Sequence, residues 1–444
     1  MWVRLQLDFD WWDFGYGITR LGLPLDRTAV GESIAKRWAP DGNAMPVLSV
    51  RSGFDLLLGT MQWPAGSEIV CSALNIPGMP MIARHHGLVP VPADLDLERL
   101  APNLDLLEQA ITPRTKAILI AHLYGNFVPL EPIAALARRH GLMLIEDAAE
   151  IYDGVYAGHP GADVSLFSFG PLKTATSLAG GVLRAQDAGL FARLKANHAG
   201  WPIQGRLDYF NRLCKYGTMK FFGARWIYAQ TRRLARLVVG DVDKMIHHSA
   251  KSFLDDDMRR LRLQPCGPLL ASMARRFANF DHRRIAQRTA NGKLLTALLR
   301  GHVVCPGAEI EPHNYWLFPV LVTDTAKMLT ALADASFDAT QVQSMRPIEA
   351  PTDRPELAPV RVTEALAHMI LVPCYPGMPE AELKRMAEVL IRVERETSNA
   401  SALKVTLQPA DTVYNGQASP HAPREDSHPA ERDGYTNAES AARR

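Results

Sequence analysis

At 444 residues with 47% hydrophobic content, the chain is long enough for two or three domains around a sizeable core. Its formal net charge of +2 gives no electrostatic case for nucleic acid as a partner, and no 18-residue apolar run supplies a membrane span. The five cysteines (Cys71, Cys214, Cys266, Cys305, Cys374) are odd in number, widely spread and without a CxxC pair. Neither a disulfide framework nor a zinc site is suggested, and a reducing cytoplasm is the expected setting. Residues 1–17 carry Trp2, Trp11, Trp12, Phe14 and Tyr16 but no basic and apolar regions of a signal peptide. The expectation is a soluble protein, peripheral to a membrane at most.

Residues 1–45 read as an N-terminal arm. From about 45 to 184, short apolar runs alternate with helical stretches, which predicts βαβ units and a mainly parallel sheet. Strands are expected at 46–50, 68–72, 88–91, 117–122, 143–146 and 164–169. Helices are expected at 53–61, from Pro77 onward, at 104–111 with Asn103 as cap, and at 130–140. Residues 185–300 look mostly helical; a strand at 315–323 and an amphipathic helix at 380–394 then indicate a smaller C-terminal α+β domain. The plan is a large domain over 46–250 with an insert at about 201–241, a small domain over 251–397, and a tail over 398–444. Ser, Asn, Pro, Ala and charged residues dominate that tail without hydrophobic period, so it reads as disordered.

Three pieces fall at the ends of predicted strands, where open α/β sheets place their ligands. Ser52-Gly53 stands at a strand-to-helix turn, where backbone N–H groups and the helix dipole suit an anion. It is also ordinary turn punctuation. Asp147, in Glu146-Asp147-Ala148-Ala149, ends a buried apolar run, and a buried carboxylate is costly without a partner. A protonated pyridinium would be such a partner; a helix cap or first-turn acid is the plain alternative. Lys173, in Ser168-Phe169-Gly170-Pro171-Leu172-Lys173-Thr174 before Gly180-Gly181, is one lysine in a polar loop after a strand. Partly desolvated, it suits a Schiff base; solvated, it is an ordinary loop lysine.

The order and spacing of the three together, with 26 residues from Asp147 to Lys173, resembles the DegT/DnrJ/EryC1/StrS family of sugar aminotransferases. The stretches Pro113-Arg114-Thr115-Lys116-Ala117, His122-Leu123-Tyr124-Gly125, Phe167-Ser168-Phe169, residues 313–318 and Pro373-Cys374-Tyr375-Pro376-Gly377-Met378 are also similar to it. The resemblance implies an α/β fold-type-I transferase that binds pyridoxal 5′-phosphate. Lys173 and Asp147 are its implied catalytic residues, the first as Schiff-base lysine and acid–base, the second as partner of the ring nitrogen. Ser52, Gly53 and Ser168 match phosphate-binding positions, and Glu150 stands beside the ring where the family usually has glutamine. The implied reaction, in sugar or polysaccharide biosynthesis, moves an amino group from L-glutamate to a keto group of a nucleotide- or lipid-linked sugar. The implied assembly is a homodimer.

Four departures are visible. Phe54 follows Ser52-Gly53 where the family has threonine, Ile76 falls at the ring-stacking aromatic, and Thr174 replaces the asparagine after the lysine. The segment Arg262-Leu263-Gln264-Pro265-Cys266-Gly267 does not carry the family's cross-dimer motif. The insert also differs: residues 206–236 hold eight Lys/Arg against one acid, Asp208, interleaved with aromatics. That mixture suits an anionic membrane surface, a large anionic or lipid-linked substrate, or plain helical packing with snorkelling arginines. Two further readings are a non-catalytic regulator or assembly partner that keeps the fold, and a pyridoxal-phosphate enzyme of another reaction.

Overall fold

The structure is a computed structural model that describes residues 1–3, 6–223, 257–308 and 310–398. The apolar runs assemble into one seven-stranded sheet. Its strands are β1 (Ala44–Val47), β2 (Glu68–Ser72), β3 (Val89–Ala93), β4 (Thr115–Ala121), β5 (Met143–Asp147), β6 (Val164–Ser168) and β7 (Gly181–Ala185). They lie in the order β1-β7-β6-β5-β4-β2-β3, and β7 alone runs against the rest.

Successive strand residues face opposite sides of a sheet, so runs that are apolar at every position need cover on both faces. Ile69, Leu119, Ile145, Leu166 and Leu183 pack on one face with Phe54 and Leu57. Those two belong to helix α3 (Val50–Met61), which packs with α4 (Gly78–His85) and α7 (Ala188–Ala199). Their neighbours Phe167 and Val182 turn the other way, onto Trp38, Tyr209, Met273 and Phe277. Toward the β3 edge, Val70, Ile118 and Leu144 meet Leu107 of α5 (Leu104–Gln109) and Ile133 and Leu136 of α6 (Glu131–Arg139).

The second face is covered by helices α1 (Trp11–Gly22) and α2 (Arg27–Trp38) of the arm, α8 (Arg206–Phe222) of the insert, and α9 (Gly267–Ala278). Asp10 and Asp26 cap α1 and α2, the acceptor-before-helix signal that the arm carries in plain sequence. The long helix α10 (His282–Leu299) then leads to a three-stranded antiparallel sheet of β8 (Phe318–Leu321), β10 (Met369–Val372) and β9 (Thr340–Gln341), in that order. Its own core joins Leu295, Phe318, Val320, Met328, Ile370 and Leu390 to Trp2 from the chain's start. Trp2 is held there by N–H bonds to the Ser336 carbonyl (2.8 Å) and, from its indole, to Glu382 (2.8 Å).

Several boundaries differ from expectation: β1 is Ala44–Val47 instead of 46–50, and β8 is Phe318–Leu321 instead of 315–323. Helix α3 begins three residues before Gly53, because Ser49 Oγ accepts from the Ser52 N–H at 3.1 Å and caps the helix there. The last helix runs on to Ser398. Residues 201–223 of the insert pack on their own protein, with Tyr209, Leu213 and Tyr216 buried and Leu213 seated against Gly17 of α1. Residues 224–241, with Arg225, Trp226, Tyr228, Arg232, Arg233 and Arg236, lie outside the described residues, as does the tail beyond 398. Among the described residues, no helix is long and apolar enough to cross a membrane.

Candidate active site

Strand β5 ends in two carboxylates that its alternation sends to opposite sides. Glu146 is fully buried and saturated: it accepts from His122 Nε2 (3.0 Å), Ser165 Oγ (2.5 Å), the His159 N–H (2.9 Å) and the Tyr156 hydroxyl. His122 Nδ1 accepts from the Val128 N–H at 2.9 Å, which leaves Nε2–H to donate to Glu146. Burial pushes the Glu146 carboxyl up, but the His122, Ser165 and Tyr156 hydrogen bonds outweigh it and hold it at about 2.

Asp147 is the opposite case. It is 6% exposed, and its side chain accepts one described hydrogen bond, from the Ala149 N–H at 3.1 Å. Burial raises its carboxyl to about 6; the Ala149 N–H and the nearby Lys173 only partly offset this. A buried carboxylate so poorly compensated is a place for a cation with an N–H to donate.

Lys173 lies in the loop between β6 and β7, at the same carboxyl end of the sheet. Its Nζ is 3.0 Å from Glu150 Oε1 and 3.8 Å from the centroid of the Trp316 ring. Glu150, 7% exposed, uses its other oxygen to accept from the Tyr124 N–H at 2.8 Å. That N–H is aimed by a left-handed turn at Tyr124 (φ 57°) and Gly125 (φ 97°). At Gly125 a side chain would run into Asn314 and the Trp316 backbone, so only glycine lets the two loops meet.

Long-range contacts hold the lysine loop. The Tyr209 hydroxyl and Arg212 guanidinium of α8 donate to the Ser177 (3.1 Å) and Leu178 (3.3 Å) carbonyls. Arg276 of α9 donates to the Thr176 carbonyl at 3.1 Å. The described part of the insert therefore buttresses the loop that carries Lys173.

The anion end is less simple than the sequence suggests. The Ser52 N–H is taken by Ser49 Oγ, and the Gly53 N–H bonds the Ser49 carbonyl at 3.0 Å inside the helix. Ser52 is fully buried with its hydroxyl 3.0 Å from that of Ser49, and a Cβ at Gly53 would touch Leu166 at 3.1 Å. Gly53 thus serves close packing of α3 on the sheet. Ser168 is half-buried at the end of β6. A Cβ on neighbouring Gly181 would lie 2.6 Å from the Phe167 carbonyl and 3.1 Å from Val50 N, so the start of α3 abuts the end of β6.

The structure thus brings Asp147, Glu150 and Lys173 together, with Ser168 at the end of the strand that leads to Lys173. Ile76, at the ring-stacking position, is half-buried and aliphatic. Arg262 forms a two-pronged pair with buried Asp55 of α3 (2.9 and 3.0 Å). Sequence reasoning missed Tyr124, Trp316, Arg288 and Asn314 as site residues, although all but Arg288 sit in stretches noted above as family-like. The donor set fits pyridoxal phosphate at its ring end: a lysine amine near a buried carboxylate whose charge is only partly compensated.

The DegT/DnrJ/EryC1/StrS aminotransferase family model matches residues 33–219. GDP-perosamine synthase of Caulobacter vibrioides is 36% identical over 143 residues, 32% of this chain and 38% of that protein. The erythromycin biosynthesis sensory transduction protein EryC1 of Saccharopolyspora erythraea is 37% identical over 160 residues, 33% of this chain and 42% of that one. The chain thus spans about two fifths of the length of these curated relatives. The aminotransferase TlmJ of Streptoalloteichus hindustanus matches in structure with a TM-score of 0.65 and 18% identity, covering 89% of this chain and 99% of that one. The PLP form of Spr1654 of Streptococcus pneumoniae matches at 0.64 and 15%, covering 88% and 98%. These last two likenesses establish a shared fold, that of the fold-type-I transferases. Residues 33–219, which hold the whole main sheet with Asp147 and Lys173, are similar to the DegT/DnrJ/EryC1/StrS aminotransferase family.

Proposed function

We propose that this protein is a pyridoxal-phosphate-dependent aminotransferase that moves an amino group, with L-glutamate as donor, to a keto group of a sugar-like substrate. The observation that carries the reading is Asp147, a carboxylate that burial pushes up to about 6, with the Lys173 amine nearby but paired to Glu150 at 3.0 Å and offsetting that rise only in part. Bound there, pyridoxal phosphate supplies an electron sink for the carbon that bears the amino group. Asp147 would hold the ring nitrogen protonated. Lys173 Nζ would attach the cofactor and, once released, carry a proton between the two carbons that exchange the amino group. Glu150 would hold Nζ in reach, and Ser168 with the start of α3 would face the phosphate, Ser52 and Gly53 acting through the packing of α3 on the sheet.

The division into an arm (1–45), a cofactor-bearing part (46–250) and a small C-terminal part (251–397) belongs to the same proposal, as do a cytoplasmic setting and a homodimer. A peripheral membrane contact is supported by one further observation: Trp12, Leu207, Phe221 and Phe222 on α1 and α8 are at least half exposed. The direct test of the enzyme reading is reconstitution with pyridoxal phosphate. We expect a violet absorption band that borohydride removes, and 2-oxoglutarate release when L-glutamate is supplied with a nucleotide-linked keto-sugar. A protein that takes up no cofactor under these conditions overturns the reading.

A further inference from the structure

The buried guanidinium of Arg288 is the feature that the reading above leaves unused. Arg288 stands on α10 and is 8% exposed, yet among the described residues no carboxylate pairs with it. It donates from Nε to the Asn314 carbonyl (2.7 Å) and from both terminal nitrogens to Thr174 Oγ1 (3.2 Å each). Burying a cation without a counter-ion costs several kcal/mol unless its hydrogen bonds are good. Here the fork of the guanidinium is spent on the hydroxyl of the residue that follows Lys173.

The contacts close into a ring. Asn314, gripped through its carbonyl by Arg288, donates its side-chain amide to the Glu150 carbonyl at 3.4 Å. Glu150 in turn holds Lys173 Nζ at 3.0 Å. The peptide bond from Lys173 to Thr174 completes the circuit back to Arg288. Lys173 is thereby fixed at both ends, its backbone through Thr174 and its amine through Glu150. The next residue, Ala175, is held in the left-handed region (φ 55°), so the backbone has little freedom to compensate for a lost contact.

We infer that Arg288 and Thr174 are positioning residues, a latch between α10 and the lysine loop that sets where the Lys173 amine stands for cofactor attachment. This rests on the assignment of Lys173 above. It also gives a role to the threonine that follows the lysine: a short acceptor that reaches Arg288.

The test uses the full-length protein and its Thr174→Val, Thr174→Ser and Arg288→Lys variants, each mixed with pyridoxal phosphate. Borohydride-trapped label on the Lys173 peptide is followed by mass, with visible circular dichroism of the bound cofactor and thermal melting alongside. Thr174→Val, which keeps the shape and loses the acceptor, is expected to take label at least about tenfold more slowly and to change the dichroic band. Its melting point should stay within about 4 °C of wild type. Thr174→Ser should restore the wild-type rate and band. Should Thr174→Val fail to fold, Arg288→Lys, which keeps the charge and loses the fork, carries the same expectation of slow labelling. Wild-type label rate and dichroism in Thr174→Val overturn the inference alone, as does a Thr174→Ser protein as slow as Thr174→Val. A wild-type protein that takes no label overturns the aminotransferase reading, and the latch with it.

Discussion

Lys173 and Asp147 are placed for one chemistry, and their single substitutions should fail in different ways. Lys173→Ala should keep the fold and lose the borohydride-sensitive band entirely; a trappable adduct in that variant would point to another lysine. Asp147→Asn should bind cofactor more weakly, since a charge-assisted hydrogen bond is worth about 1.5–3 kcal/mol. Without cofactor the same change should stabilise the protein. The folded carboxyl titrates at about 6 instead of its ordinary 3.8, so between those values the folded state binds more protons than the unfolded one. Stability therefore falls as pH rises through that window, by roughly 2–3 kcal/mol at about 1.4 kcal/mol per unit. Asparagine avoids the loss. Denaturant unfolding of the two apo proteins should show the variant ahead at pH 8 and the gap closed at pH 4; equal stability at pH 8 would mean that Asp147 is already paired. Glu146 works in the other direction: held at about 2, its contribution is present above its ordinary 4.5 and lost as pH falls toward 2.

Among elements, the β6–β7 loop depends most on its neighbours. Its backbone adopts positive φ at Ala175 (55°) and Leu178 (68°), neither of them a residue that favours that region. Hydrogen bonds from α8 and α9 hold it there. Tyr209→Phe removes the buried bond to the Ser177 carbonyl and should lower stability by about 1 kcal/mol, read as a shift in denaturant midpoint with unchanged slope. Cofactor labelling at Lys173 should slow in the same variant. A variant with wild-type stability and labelling would show that α8 covers the loop without holding it.

At the scale of the whole molecule, the tail and the part of the insert beyond residue 223 should be separable from the chemistry. Truncation after Thr397 should leave cofactor uptake and melting temperature unchanged, because the removed sequence has no hydrophobic period to dock with. A drop of several degrees would show that the tail packs. The insert makes the second case. If the insert meets an anionic membrane, wild-type protein should float with anionic vesicles at low salt and leave them as salt rises, since each Lys/Arg near such a surface adds roughly 1 kcal/mol that screening removes; plain packing predicts no flotation. Arg232, Arg233 and Arg236 changed together to glutamine should float less while keeping the cofactor band. Protein that stays soluble beside anionic vesicles at low salt would reduce the insert to domain packing.

The order of apolar runs alone determined that a mainly parallel sheet would form, that Glu146 and Asp147 would stand at the end of one strand, and that Lys173 would lie in a loop following another. Those are local matters of period, capping and turn residues, and they are written in consecutive positions. Alternation also implied that the two acids face opposite ways, but not which one faces the site. That was decided by His122, Tyr156 and Ser165, which meet Glu146 and leave Asp147 with little compensation. Trp316 against the lysine, the Tyr124 N–H on Glu150, and Arg288 on Thr174 were likewise decided only by the tertiary structure. Each joins residues from different elements, and contacts of that kind depend on the path of the whole chain, which no short-range pattern encodes.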